Sequence, residues 1–215
     1  MITLNPFVRH TIATEPMPPC PAALYEYVFA GNGIFLRAQR EGLSVRFPVL
    51  SYPIPGLPIL TPQIEVTVPR IPQTLIEQML GEAFDAWQAP SGPLESLFHF
   101  TCDETWMLTI PEQIRTAVSV QPADPEHCPS YQSCLVEIHS HHEMRPQFSA
   151  TDDEDETGFR IYGVCGSFRK RPSISFRVGL YGHFFPTPAS LIVELPPDLH
   201  DTYREEFLDD CASTT

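Results

Sequence analysis

The chain has 215 residues and carries 13 Lys and Arg against 27 Asp and Glu, a net charge of -14. That length buries enough apolar surface for a stable core without staples, so a bound metal is not needed merely to hold the fold together. The negative charge would repel a phosphate backbone, which argues against nucleic-acid binding, and it favours a basic partner surface.

Residues 1–22 are rich in proline and are expected to form an irregular arm. Apolar runs Leu24 to Ala30 and Ile34 to Ala38 flank Gly31-Asn32-Gly33. They predict a β-hairpin whose turn residues supply positive φ. Leu43 to Leu50 is a third strand, and the proline-rich stretch 51–62 a draped loop or linker. The chain thus divides into a small β-rich N-terminal region, 1–62, and a larger domain, 63–215. No internal repeat or low-complexity tract is visible. The 24 prolines, about twice the usual share, lie between apolar runs and favour short strands over long helices.

Alternation over Ile64 to Val68 predicts the strand that opens the larger domain. From Pro72 or Thr74, apolar residues Leu75, Ile76, Met79, Leu80, Ala83, Phe84 and Trp87 recur at helical spacing, giving a helix over 73–88 that stops at Ala89-Pro90-Ser91-Gly92. Strands are expected at 95–101, 105–110 and 115–120. A proline-rich loop at 122–130 follows, then a strand from Cys134 to His139. Strands near 160–165, 173–181 and 190–195 come next, with a short helix over Asp201 to Asp210. This order predicts an α+β domain, a curved mixed sheet with flanking helices.

No apolar run is long enough for a membrane span, and Met-Ile-Thr-Leu-Asn-Pro has neither the basic nor the apolar part of a secretory signal. The expected setting is cytoplasmic and reducing, with Cys20, Cys102, Cys128, Cys134, Cys165 and Cys211 as thiols, most simply buried ones. Cys128 and Cys134 bracket a loop, and a disulfide or metal role is their alternative.

The informative stretch is Glu137-Ile-His-Ser-His-His142 and its continuation to Asp152. In a strand His139 and His141 point to one side, and paired imidazoles suit Zn²⁺. His142 points to the other face and is not expected to be a ligand. Seven residues after His141 comes Ser149, a good helix N-cap, with Asp152 and Asp153 in the turn that follows. Asp152 can reach back to the strand end as a third ligand, leaving a fourth position open for water, as catalytic zinc requires. Asp153 to Glu156 reads as a solvated acidic face.

His139-x-His141, seven residues, then Ser149-x-x-Asp152 resembles the motif of the JAMM (MPN+) zinc metalloproteases. The resemblance covers roughly residues 64–197. It implies the JAMM-like fold, one Zn²⁺ on His139, His141 and Asp152, and Ser149 hydrogen-bonded to the tetrahedral intermediate. It also implies an upstream glutamate as general base for the metal-bound water. Glu95 fits that role, ahead of Glu104, which lies in a turn, and of Glu137, which fits better as a partner orienting a ligand. His142 stands where the family often has Pro, and Phe98 where a Gly often follows the base. The Leu-Val-Glu-Ile-His-Ser-His-His, Phe-Ser-x-x-Asp-Asp and Gly-Phe-Arg-Ile-Tyr stretches are most similar to the branch of the family carried by bacterial PRTRC mobile-element systems. These systems also carry ubiquitin-like and E1/E2-like proteins. The implied activity is a zinc-dependent isopeptidase or peptidase acting on the C-terminal tail of a ubiquitin-like protein. The alternative is a JAMM-like binding module without chemistry. A purely structural zinc site fits less well, since such sites favour four Cys or His ligands.

Overall fold

The computed structural model describes residues 7–21 and 23–203. The chain forms two compact units that divide between Val68 and Pro69, and it is a mixed α/β protein, rich in sheet. Among the described residues, no helix is long and apolar enough to cross a membrane.

The first unit is one five-stranded sheet in the order β1-β2-β3-β4-β5, formed by Val8–Ile12, Tyr25–Ala30, Gly33–Arg40, Leu43–Ser51 and Gln63–Val66. Strand β1 lies within the stretch expected to be an irregular arm and pairs parallel with β2. Period-two alternation puts Glu26, Val28 and Ala30 on the buried side of β2. The apolar members pack with Phe35, Leu60, Ala13 and Met17. Buried Glu26 pairs with Arg37 at 2.6 Å, and Arg37 donates onward to the Pro18 carbonyl at 2.7 Å. This ties part of the proline-rich arm to the sheet.

The expected hairpin forms, but its Asn32 does not take positive φ; only Gly33 does, at 141°. Asn32 instead pins the following loop, donating to the Leu60 carbonyl at 2.8 Å and accepting from the Leu60 amide at 3.0 Å. Strand β5 was expected to open the second domain. It pairs antiparallel with β4 and closes the first sheet, moving the boundary from 62 to 68. A half-buried strand belongs to whichever sheet offers an open edge, and its own alternation does not say which.

The second unit opens with helix α1, Gln73–Trp87, which follows Pro72 and buries Ile76, Met79, Ala83 and Ala86. Its sheet runs through β6 (Leu97–Cys102), β7 (Trp106–Thr109), β10 (Val136–Ser140), β11 (Phe159–Gly166), β12 (Ser173–Leu180) and β13 (His183–Thr187) in the order β13-β12-β11-β10-β6-β7. The short β14, His200–Asp201, lies parallel to β12. Strands β10 and β11 are parallel, whereas β10 is antiparallel to β6. Every residue of β11 is buried, as befits a strand covered on both faces.

Three expectations change here. The strand expected over 115–120 is a hairpin of β8 (Gln113–Arg115) and β9 (Val120–Pro122), with a turn through Thr116 to Ser119. The proline-rich loop holds a 3₁₀ turn at Pro125–His127 and helix α2, Pro129–Ser133. The stretch 190–195 makes one isolated bridge, Ile71 to Val193, and the strand beside β12 is β13. Helix α3, Ala150–Asp155, begins after Ser149. Asp201 belongs to β14, and residues 204–210 of the expected C-terminal helix lie outside the described residues.

Candidate metal centre

His139 lies near the end of β10 and His141 just beyond it, where its amide still bonds to the Cys165 carbonyl of β11 at 2.7 Å. The two imidazoles bring their Nε2 atoms to 3.0 Å of each other. Asp152 Oδ1 is 3.3 Å from His139 Nε2, and Oδ2 is 3.8 Å from His141 Nε2. All three ligand atoms lie within 4.8 Å of one another. These residues can hold a metal ion.

Helix α3 delivers the aspartate. Ser149 is its N-cap: its Oγ accepts from the Asp152 amide at 3.2 Å, while Asp152 Oδ2 accepts from the Ser149 amide at 2.5 Å. This reciprocal capping box fixes both the helix start and the carboxylate. Ser149 itself is exposed.

Glu95 sits two residues before β6. The Ser96 and Ser140 backbones are joined by an amide-to-carbonyl bond at 2.9 Å, and Ser140 Oγ also accepts from the Ser96 amide at 2.9 Å. On its other side the Glu95 amide donates to the Thr116 carbonyl at 2.9 Å, and Arg115 Nε donates to the Glu95 carbonyl at 2.7 Å. The β8–β9 hairpin and β10 therefore clamp Glu95 from two sides. Its Oε1 lies 4.0 Å from His141 Nε2, buried and without a hydrogen-bond partner among the described residues. Glu104 is exposed in the turn between β6 and β7.

A cavity of about 180 Å³ opens beside these groups, lined by Glu95, His139, Asp152, Glu137, Tyr131 and residues of β9 among others. Burial pushes the Glu95 carboxyl up to about 7; the His139 charge opposes this and Asp152 adds to it. Burial alone would lower His139, but its bond to Asp152 outweighs that and the imidazole is raised. Burial and the neighbouring His139 push His141 down to about 4. Burial would raise Asp152, yet His139 and the Ser149 amide hold it well below the usual carboxylate range.

The donor set fits a zinc ion. With Nδ1 protonated, each Nε2 presents a lone pair, and two lone pairs 3.0 Å apart repel unless a proton or cation lies between them. Two imidazoles and one carboxylate are donors zinc accepts, and three protein ligands leave a fourth position open.

Two residues depart from expectation. The Glu137 carboxylate does not turn to a ligand. It takes a bond from Arg160 at 2.8 Å and faces His99 at 3.6 Å. His99, Cys134 and Glu137 form a second convergent group. Arg160 Nη1 also lies 2.8 Å from Cys134 Sγ, so a guanidinium already stands where a cation would bind. Cys128 and Cys134 are not joined in a disulfide. Glu156, expected on a solvated face, is 4% exposed and points its Oε1 at His139 Nδ1, 4.0 Å away. Asp153 pairs with Arg177 at 2.5 Å. Sequence reasoning missed Glu156 because an acidic run gives no sign of which member turns inward. His142 is buried and takes φ of 34°, turning the chain away after His141.

The sequence matches no family model and no curated protein.

Proposed function

We propose that the chain is a zinc-dependent peptidase or isopeptidase of the JAMM type, hydrolysing an amide bond at the C-terminal tail of a ubiquitin-like protein. The observation that carries this reading is the convergence of His139, His141 and Asp152 on one point, with the buried, unpartnered Oε1 of Glu95 beside it. A binding module has no need of an orphaned buried carboxylate at a metal site, whereas a hydrolase needs a base there.

Zn²⁺ on the three ligands would supply Lewis acidity, polarising the scissile carbonyl and making water more acidic. Glu95 Oε1 takes one proton from the attacking water and returns it to the amine nitrogen as the C–N bond breaks. Its clamped backbone keeps that oxygen in place through both transfers. The Ser149 oxygen accepts a bond as the helix cap, and its hydroxyl proton remains available to donate to the oxyanion. The substrate class rests on the resemblance of the motif, and E1/E2-like proteins of the same system are the expected companions.

The test is incubation of the zinc-loaded chain with a ubiquitin-like protein extended at its C-terminus through an amide, read by mass spectrometry. Cleavage at the tail that stops on chelation and returns with zinc is the expected result. A chain that holds zinc and leaves every such amide intact contradicts the assigned substrate class.

A further inference from the structure

A metal-bound histidine is aimed by the acceptor that holds its other ring nitrogen. His141 has the Arg145 carbonyl, 3.4 Å from its Nδ1. For His139, we infer that Glu156 is the positioning residue and that Arg177 sets Glu156 in place. This rests on the reading of His139 as a metal ligand.

Arg177, on β12, engages one oxygen of Glu156: Nε donates to Oε2 at 2.8 Å, and Nη2 lies at ion-pair distance from it, 2.6 Å. The second oxygen, Oε1, is the one that faces His139 Nδ1 at 4.0 Å. That gap exceeds a hydrogen bond; on this inference the ring turns toward Oε1 to close it when the metal is bound. The guanidinium is itself fixed, between the Phe148 ring at 3.9 Å and the Phe184 ring at 3.6 Å. Phe148 also meets His139 edge-on, with ring centroids 6.3 Å apart. The remaining arm of Arg177 reaches Asp153 on α3 at 2.5 Å. One arginine thus fastens the helix that carries Asp152 and sets the carboxylate behind His139.

Stability alone does not account for this cluster. Taking a carboxylate and a guanidinium out of water costs as much as their attraction returns, so a buried ion pair is weak evidence of stabilisation. A role at the metal accounts for both the burial and the direction of Oε1.

The experiment uses the full chain and two readouts. One is zinc affinity by chelator competition. The other is the exchangeable Nδ1–H proton resonances of the two histidines in the Co²⁺-substituted protein. Glu156→Ala is expected to weaken zinc by about 10–100-fold, the usual cost of losing such a partner. It should also lose the His139 Nδ1–H signal to exchange with water while that of His141 persists. Glu156→Gln, close in size and suited to folding, has one acceptor oxygen where two are needed, so it should weaken zinc as well. Glu154→Ala, at an exposed position of α3, should bind zinc close to wild type. If Glu156→Ala and Glu156→Gln hold zinc like wild type and keep the His139 signal, the positioning role is overturned while the metal site stands. If the wild type takes up no zinc through His139, the metal-site reading itself fails, and this inference with it.

Discussion

Replacing Glu95 by Gln separates two properties that the carboxylate joins. Glu95 is 2% exposed, its Oε1 lacks a hydrogen-bond partner among the described residues, and burial lifts its pKa from 4.5 to about 7. At about 1.4 kcal/mol per unit, the metal-free fold prefers the neutral carboxyl by about 3 kcal/mol. The folded pKa lies above the unfolded one, so this contribution is full below pH 4.5 and lost as pH rises through 7. Gln imitates the neutral form. Metal-free Glu95→Gln should match wild type near pH 4 and exceed its stability at pH 8 by up to about 3 kcal/mol, measured by urea unfolding. Gln cannot accept a proton, however. With zinc content held equal, turnover on a C-terminally extended ubiquitin-like protein should fall by about 10²–10⁴-fold, or roughly 3–5 kcal/mol in the barrier. Glu104→Gln, in an exposed turn, should change neither quantity. Glu137→Gln breaks the Arg160 pair and should lower stability more than turnover. Near-normal turnover in zinc-loaded Glu95→Gln would refute the assignment of the base.

Three other perturbations test separate parts of the account. Asp152→Asn should cost far more zinc affinity in a competition titration than Asp153→Asn, because only Asp152 lies against His139 Nε2, at 3.3 Å; the opposite order would move the ligand by one residue. A Cβ on Gly166 would lie 2.3 Å from the Met144 carbonyl oxygen in the loop after His141. Gly166→Ala should therefore destabilise by about 1–3 kcal/mol and also weaken zinc binding, and an unchanged melting temperature and affinity would contradict that close approach. His99 is fully buried, and burial with Arg160 nearby pushes its pKa down to about 4. The neutral ring's contribution is present above its unfolded pKa of 6.5 and lost as pH falls toward 4, about 3 kcal/mol in all. His99→Gln should flatten the fall in stability between pH 7 and 4, and an unflattened profile would show that His99 does not titrate in this way.

The parts of the site legible in the sequence were those fixed by local periodicity. Strand alternation put His139 and His141 on one side, and the capping preference of Ser149 placed Asp152 in the first turn of a helix. Helix α1 and the β2–β3 hairpin were legible for the same reason, since their patterns are written in consecutive residues. What stayed hidden depends on partners distant in sequence. Glu156 is buried because Arg177 of β12 reaches it, and no pattern within Asp152 to Glu156 singles it out. Strand β5 joined the first sheet because β4 offered an open edge. Glu137 shares a strand face with His139, but Arg160 of β11 captured its carboxylate. Residues 115–120 became a turn and a strand end because Thr116 pairs across to Ser119, closing a hairpin that alternation alone does not reveal.

A zinc ion held by His139, His141 and Asp152 would show in the metal content of the purified protein. Elemental analysis of purified wild type should give about one zinc per chain. His139→Ala should give close to none and remain folded by circular dichroism, since the core is large enough without the metal. Full zinc occupancy in folded His139→Ala would contradict this ligand assignment.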